Sequence, residues 1–407
     1  EHMAFNGSTN VPEGEMIKLL ERHGLAFGAD TNASTGYEAT TYKLDLPKSD
    51  PELLDIALML MRETVSELRF EPAAVERERG VVLAEMRDRD GFQIRNYQSQ
   101  VEFLHPGARY VSRLAIGTAE TLNAASAATL KAFWRREYVP RHTTLIVVGD
   151  FDAVAVEQAI RARFGDWRPA PVEPAPRAGP FDRGGAQPRS GIHIDPALSE
   201  NIGVSRTGPW LDEPDSIAQR RENLLRQVGY GIVNRRLLRR SREANAPFRA
   251  ASFATGDLFE EARQTRLGID TVDGRWRRGL VTAGEEYRRA LTFGFTADEV
   301  AEQVAIIRTA NRNSAAGENT RDHSALVGAV LALINDDKVP DTPSRSAARL
   351  EAFIPQITPD AVLAALKREA IPLDAPQLRF QGRVPPGGEA ALRAAAQQAV
   401  TDPPPRR

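Results

Sequence analysis

The sequence holds no cysteine. That excludes disulfides, a thiol nucleophile and thiolate-bound zinc, so any metal has to be held by imidazole and carboxylate. The absence leaves the compartment open, because many exported proteins also lack cysteine. Histidine is scarce: His2, His23, His105, His142, His193 and His323 are all six. No stretch reaches the roughly eighteen apolar residues of a membrane-spanning helix. Neither sign of charge dominates, since 53 Lys and Arg face 55 Asp and Glu for a formal net charge of −2. A chain so balanced has no global pull toward nucleic acid or anionic membrane. What is present is ordinary for a folded protein, with 42% hydrophobic and 27% charged residues. At 407 residues the chain exceeds one compact core, and two or three domains are expected.

Composition divides it. Proline and glycine crowd "RPAPVEPAPRAGPFDRGGAQP", residues 168–188, where no periodic apolar pattern survives. This reads as a semi-rigid linker. A second such stretch, residues 385–407, closes the chain as a Pro-rich linker or tail. The expected domains are therefore residues 1–167 and 189–384.

In the first segment "MIKLLERHGLAF" predicts a helix stopped at Gly24, and "TTYKLDLP" alternates as a half-buried strand does. "DPELLDIALMLMRETVSEL" predicts a helix capped by Asp50 with Pro51 at its first position. "EPAAVERERGVVLAEMRDRD" predicts another, and "TTLIVVGDFD" a buried strand leading into the helix "AVAVEQAIRARFG". In the second segment "SGIHIDPALSENIGVSRTGP" suggests two strands, followed by a long helix from "DSIAQRRENLL". Helices capped by Thr296 and by Thr358 or Pro359-Asp360 come later. The order of elements resembles that of the first segment and points to related domains, although no residue-level repeat is visible.

Two features concern chemistry. Glu78 and Glu85 stand seven positions apart, and seven steps of about 100° return to within about 20° of the start, so both face one way. Alone, such a pair reads as a solvated stripe beside Glu76, Arg77, Arg79, Arg87 and Arg89. The apolar run from Gly80 to Ala84 between them marks the helix as partly buried, where a carboxylate needs a cation. The other feature is the opening, Glu1-His2-Met3. It reads either as a cloning remnant or as the last two letters of the inverted zinc motif H-x-x-E-H, in which two His bind metal and Glu activates water.

"EHMAFNGSTNVPEGEMIKLLERHGLAFGADTNASTGYEATTYKLDLP", "ERERGVVLAE", "HPGARYVSRLAIGTAETL" and "FWRREYVPRHTTLIVVGDFD", in that order, resemble the first domain of the pitrilysin/insulinase-type zinc metallopeptidases. The likeness is strong over residues 1 to about 165 and looser over 189–384, chiefly through "NRRLLRRSREANAPFRAA"; the Ala-Phe-Asn-Gly run is similar to the exported, bacterial four-domain members. It favours the motif reading of Glu1-His2. It implies two α/β (α+β) domains, each a mostly antiparallel sheet with helices packed on one face.

By the same resemblance Glu1 is the general base, His2 a zinc ligand and Glu85 the distant carboxylate ligand, with Glu78 the second acidic position that orients them. The partner His would lie three residues before Glu1. With two ligands against the usual three, the chain as written is expected to bind Zn2+ weakly and to be inactive alone. The resemblance also sets Asn32 and Ala33 on an edge strand that accepts an extended peptide, and Phe5 at the wall of a side-chain pocket.

The expected activity is a zinc endopeptidase acting on peptides or unfolded proteins in the periplasm. Its expected partner is the C-terminal half of the same protein or a partner subunit, with no nucleic acid and no membrane span. The alternative is a non-catalytic scaffold or peptide-binding member. His105, His142, His193 and His323 read as structural, His23 as a helix C-terminal residue. The Arg-rich "NRRLLRRSREA" fits an amphipathic helix better than a nucleic-acid surface.

Overall fold

The computed structural model of the chain describes residues 1–182 and 188–400. Part of the expected linker, 183–187, and the last part of the expected tail, 401–407, lie outside the described residues. The chain forms two compact units, one of residues 1–90 and 112–176, the other of 91–111 and 177–407. Residues 91–111, which a division at the linker leaves with the first segment, belong to the second unit.

In the first unit a short turn, His2–Phe5, precedes α1 (Glu15–Arg22). Gly24 follows α1 with φ of 83°, a left-handed position that glycine adopts without strain and that stops the helix. The antiparallel hairpin of β1 (Thr31–Thr35) and β2 (Thr40–Leu44) pairs Ala33 with Tyr42 and Thr35 with Thr40. α2 (Pro51–Ser66) starts as expected, for the Asp50 carboxylate accepts from the amides of Glu52 and Leu53. α3 (Pro72–Arg89) follows.

α4 (Phe92–Leu104) packs in the second unit, and the first resumes with α5 (Ala119–Ala124), α6 (Ala127–Glu137) and α7 (Ala153–Phe164). Where "TTLIVVGDFD" was expected to make a strand, residues 143–152 have no strand pairing among the described residues, and the sheet described in this unit is the two-stranded hairpin. Residues 145–148 are nonetheless half-buried. An apolar run predicts burial; a strand also needs a neighbour with free backbone groups. His142 accordingly ends a short turn, Pro140–His142, and opens no strand.

The second unit is built on a five-stranded sheet of order β3-β7-β4-β6-β5. Its strands are β3 (Arg189–Ile194), β4 (Asn201–Pro209), β5 (Phe248–Leu258), β6 (Ala262–Thr271) and β7 (Gln377–Gly382). All neighbours are antiparallel except β3 and β7. Its helices run α8 (Ile217–Ser241), α9 (Trp276–Phe293), α10 (Ala297–Ala316), α11 (His323–Asp336), α12 (Pro343–Phe353), α13 (Pro359–Glu369) and α14 (Glu389–Val400). Alternation along the strands turns Ile202, Val204, Leu267, Ile269, Leu378 and Phe380 to one face, where they join Val228 and Ile232 of α8, Leu280 of α9 and Leu366 of α13 in the main core. α4 lies across the opposite face, and a Cβ on Gly191 of β3 would run into Phe103.

α14, which falls inside the expected tail, buries Leu392, Ala395 and Ala399. Its small residues allow close approach to α9, since a Cβ on Gly284 would stand 2.3 Å from the Ala399 carbonyl oxygen. The Arg-rich end of α8 is amphipathic: Leu237 is buried, while Arg236 and Arg240 pair with Glu299 and Glu243.

Candidate active site

Two helical turns apart on α3, Glu78 and Glu85 meet His2. The turn carrying His2 is anchored by its neighbours, because Met3 and Ala4 are buried with Ala74 and Val75 of α3 and with Phe70 and Trp134. The Asn6 side-chain amide donates to the His2 carbonyl at 3.0 Å and closes the turn. Nδ1 of His2 lies 2.9 Å from Oε2 of Glu78, and Nε2 lies 3.6 Å from Oε2 of Glu85. A carboxylate accepts, so Nδ1 donates to Glu78, and Nε2 faces Glu85. The other oxygen of Glu85 pairs with Arg89 at 2.5 Å. The two glutamates are 22% and 31% exposed against 68% for Glu76, so they do not belong to the solvated stripe.

Imidazole and carboxylate are donors that zinc takes. Two ligands each about 2.1 Å from a tetrahedral ion stand roughly 3.4 Å apart, and the 3.6 Å between Nε2 and Oε2 fits that span. The residues present therefore suit zinc as two of its ligands. Among the described residues no group of three or more His, Cys, Asp or Glu is arranged to hold a metal.

The hairpin flanks this pair. Thr35 Oγ1 donates to Oε2 of Glu1 at 2.5 Å and lies 3.3 Å from the Thr40 hydroxyl. The Tyr42 hydroxyl sits 2.8 Å from that of Tyr138, and burial, then Tyr138, pushes the Tyr42 phenol well above its usual range, with the Glu1 charge adding to the effect. Sequence reading passed over Thr35 and Tyr42. The signal was the period of two along a strand, which sets Thr35 on the same face as Ala33 and Tyr42 opposite it.

Phe5 and Asn32 line a small cavity with Met16, Tyr42, Leu60 and Thr64. The Phe5 ring meets Phe27 edge to face at 5.3 Å. Ala33 is half-buried in β1, whose far edge carries only an isolated bridge between Phe27 and Thr31 among the described residues. The other histidines belong to other elements. His23 caps α1, and His105 is buried against Tyr110 and Phe181, where desolvation lowers its pKa to about 4. His193 lies in β3 and His323 opens α11.

Residues 1–118 match the family described as Insulinase (Peptidase family M16), and residues 124–307 match the Peptidase M16 inactive domain. The chain belongs to the insulinase family of peptidases. The expectation drawn from the ordered motif blocks is borne out.

Among its M16 relatives, the "Probable zinc protease PqqL" of Haemophilus influenzae is 27% identical over 315 residues, 75% of this chain and 33% of that protein. The "Zinc protease PQQL-like" of Arabidopsis thaliana is 30% identical over 264 residues, 65% of this chain and 28% of that protein. The chain spans about a third of the length of these curated relatives. The crystal structure of the first half of the periplasmic protease PqqL from Escherichia coli superposes with a TM-score of 0.87 over 98% of this chain and 86% of that chain, at 21% identity. The likeness is one of fold, and the expected mixed α/β architecture with two sheets is borne out. Among the described residues no helix is long and apolar enough to cross a membrane.

Proposed function

We propose that this chain supplies the metal-binding part of a zinc endopeptidase that cleaves peptides or unfolded proteins. The observation that carries the reading is the convergence of His2 and Glu85 at 3.6 Å with Glu78 behind the imidazole at 2.9 Å. His2 and Glu85 would hold Zn2+, and Glu78 fixes the tautomer and direction of His2. When bound, the metal supplies a Lewis acid that polarises the scissile carbonyl and acidifies water.

Glu1 is the general base, taking the proton of the attacking water and passing it to the leaving amine. Thr35 holds its carboxylate toward the hairpin. The open edge of β1 receives the peptide as an added strand through main-chain hydrogen bonds, with Asn32 and Ala33 on that edge and Phe5 walling a side-chain pocket. The partner is the C-terminal half of the same protein or a separate subunit, and the compartment is the periplasm. The description of the E. coli structural neighbour as a periplasmic protease, of which one structure is a first half, supports both.

A second reading, a non-catalytic peptide-binding or scaffold subunit, is favoured by the match of residues 124–307 to the Peptidase M16 inactive domain. The test is cleavage of an internally quenched peptide by the intact protein. Zinc-dependent cleavage, lost on chelation and in Glu1→Gln with metal retained, is expected. Peptide binding without cleavage at any zinc concentration supports the scaffold instead.

A further inference from the structure

In the second unit several guanidiniums with little exposure sit against a carboxylate. Arg226 lies 2.6 Å from Glu213 and Arg236 lies 2.7 Å from Glu299. Among the described residues, some on the sheet do not. Arg266 of β6 and Arg379 of β7 both stand on the face opposite the main core, flanking β4, where Ser205 pairs with Arg266 and Gly203 with Arg379. Arg379, 6% exposed, donates to neutral acceptors: Oδ1 of Asn96 at 2.9 Å, its carbonyl at 3.3 Å, Ser99 Oγ at 3.2 Å and Gln381 Oε1 at 3.0 Å. The guanidinium of half-buried Arg266 makes no hydrogen bond and no ion pair among the described residues.

The floor between them is glycine. Gly203 pairs with Gly268, and a Cβ on Gly203 would stand 3.4 Å from Nε and Nη2 of Arg266, so this guanidinium lies against bare backbone. Burial pulls the pKa of both arginines down, and for Arg379 the nearby charge of Arg266 adds to the fall, to about 10. Among the described residues no carboxylate offsets either. Two desolvated like charges held together without a counter-ion are costly, and departures of this kind collect where a ligand supplies the missing charge. Toward β5 the same face is open, because Ser252 and Ala254 are small and exposed.

We infer that Arg266 and Arg379 form a subsite for a carboxylate, the Asp or Glu side chain of a bound peptide laid on this face of the sheet. A planar guanidinium takes a carboxylate through two parallel hydrogen bonds, which Arg266 has free to give. That the carboxylate belongs to a peptide rests on the peptidase reading; the need for an anion does not.

The test is fluorescence anisotropy of a labelled Glu-containing peptide and its Gln counterpart on the 407-residue chain, with metal removed by a chelator so that cleavage plays no part. The Glu peptide should bind about tenfold more tightly at low salt, with the preference gone in Arg266→Gln and partly kept in Arg266→Lys. Because the Arg266 guanidinium has no partner to lose among the described residues, Arg266→Gln should melt no lower than the wild type; a large drop in Tm would assign it a structural role and overturn the subsite. Equal affinity for the two peptides sinks the subsite and leaves the peptidase reading standing. Competition by inorganic phosphate without any Glu preference overturns the peptide assignment.

Discussion

Glu78 and His2, far apart in the chain, meet through Oε2 and Nδ1 at 2.9 Å. That contact makes Nδ1 the donor to Glu78 and leaves Nε2 facing Glu85. Replacing Glu78 by Gln keeps the shape but lets the amide present a donor to Nδ1. Zinc affinity should fall about 10- to 100-fold, read by competition with a chelating dye. Unchanged affinity would remove Glu78 from the centre.

Thr35 reaches Glu1 across the hairpin at 2.5 Å. Thr35→Val retains the β-branched shape and removes the donor, so kcat of the intact protein should drop about tenfold with KM little changed, and Thr35→Ser should restore most of it. Loss that Ser does not rescue would point to strand packing.

Gly284 is a point of close approach between α9 and α14. With a Cβ forced to 2.3 Å from the Ala399 carbonyl oxygen, the two helices must separate. Gly284→Ala should destabilise the second unit by about 1–3 kcal/mol, measured by urea unfolding. A wild-type midpoint would show that α14 is dispensable to the fold.

Glu299 is the ionised partner of Arg236. Burial raises its pKa, but the Arg236 guanidinium and the Thr296 amide outweigh that and hold it at about 2, below its ordinary 4.5. A carboxyl depressed in the folded state contributes stability that is fully present above 4.5 and is lost as pH falls from there through 2. Glu299→Gln should lower Tm at neutral pH and flatten its fall across that acid window. Parallel wild-type and variant curves would refute the assignment.

Much of the centre was legible early because it rests on local rules. The seven-residue spacing of Glu78 and Glu85 fixes a common direction on any helix, and the caps at Asp50, Thr296 and Thr358 are local chemistry that folding left unchanged. The segment 143–152 misled for the opposite reason. Its apolar run is a statement about burial, while strand pairing depends on which backbone lies beside it. α14 was hidden by the prolines that flank it, although Leu392, Ala395 and Ala399 repeat at helical spacing.

Sequence alone determined the donor types, since a chain without cysteine and with six histidines can offer zinc only imidazole and carboxylate, and it determined the family through ordered motif blocks. Tertiary structure alone decided which oxygen meets which nitrogen, that Thr35 reaches Glu1, and that Arg266 and Arg379 share a sheet face with no counter-ion among the described residues. Side-chain chemistry is carried by each residue wherever it sits, whereas pairings across tens or hundreds of positions exist only once strand register and helix packing have set the backbone.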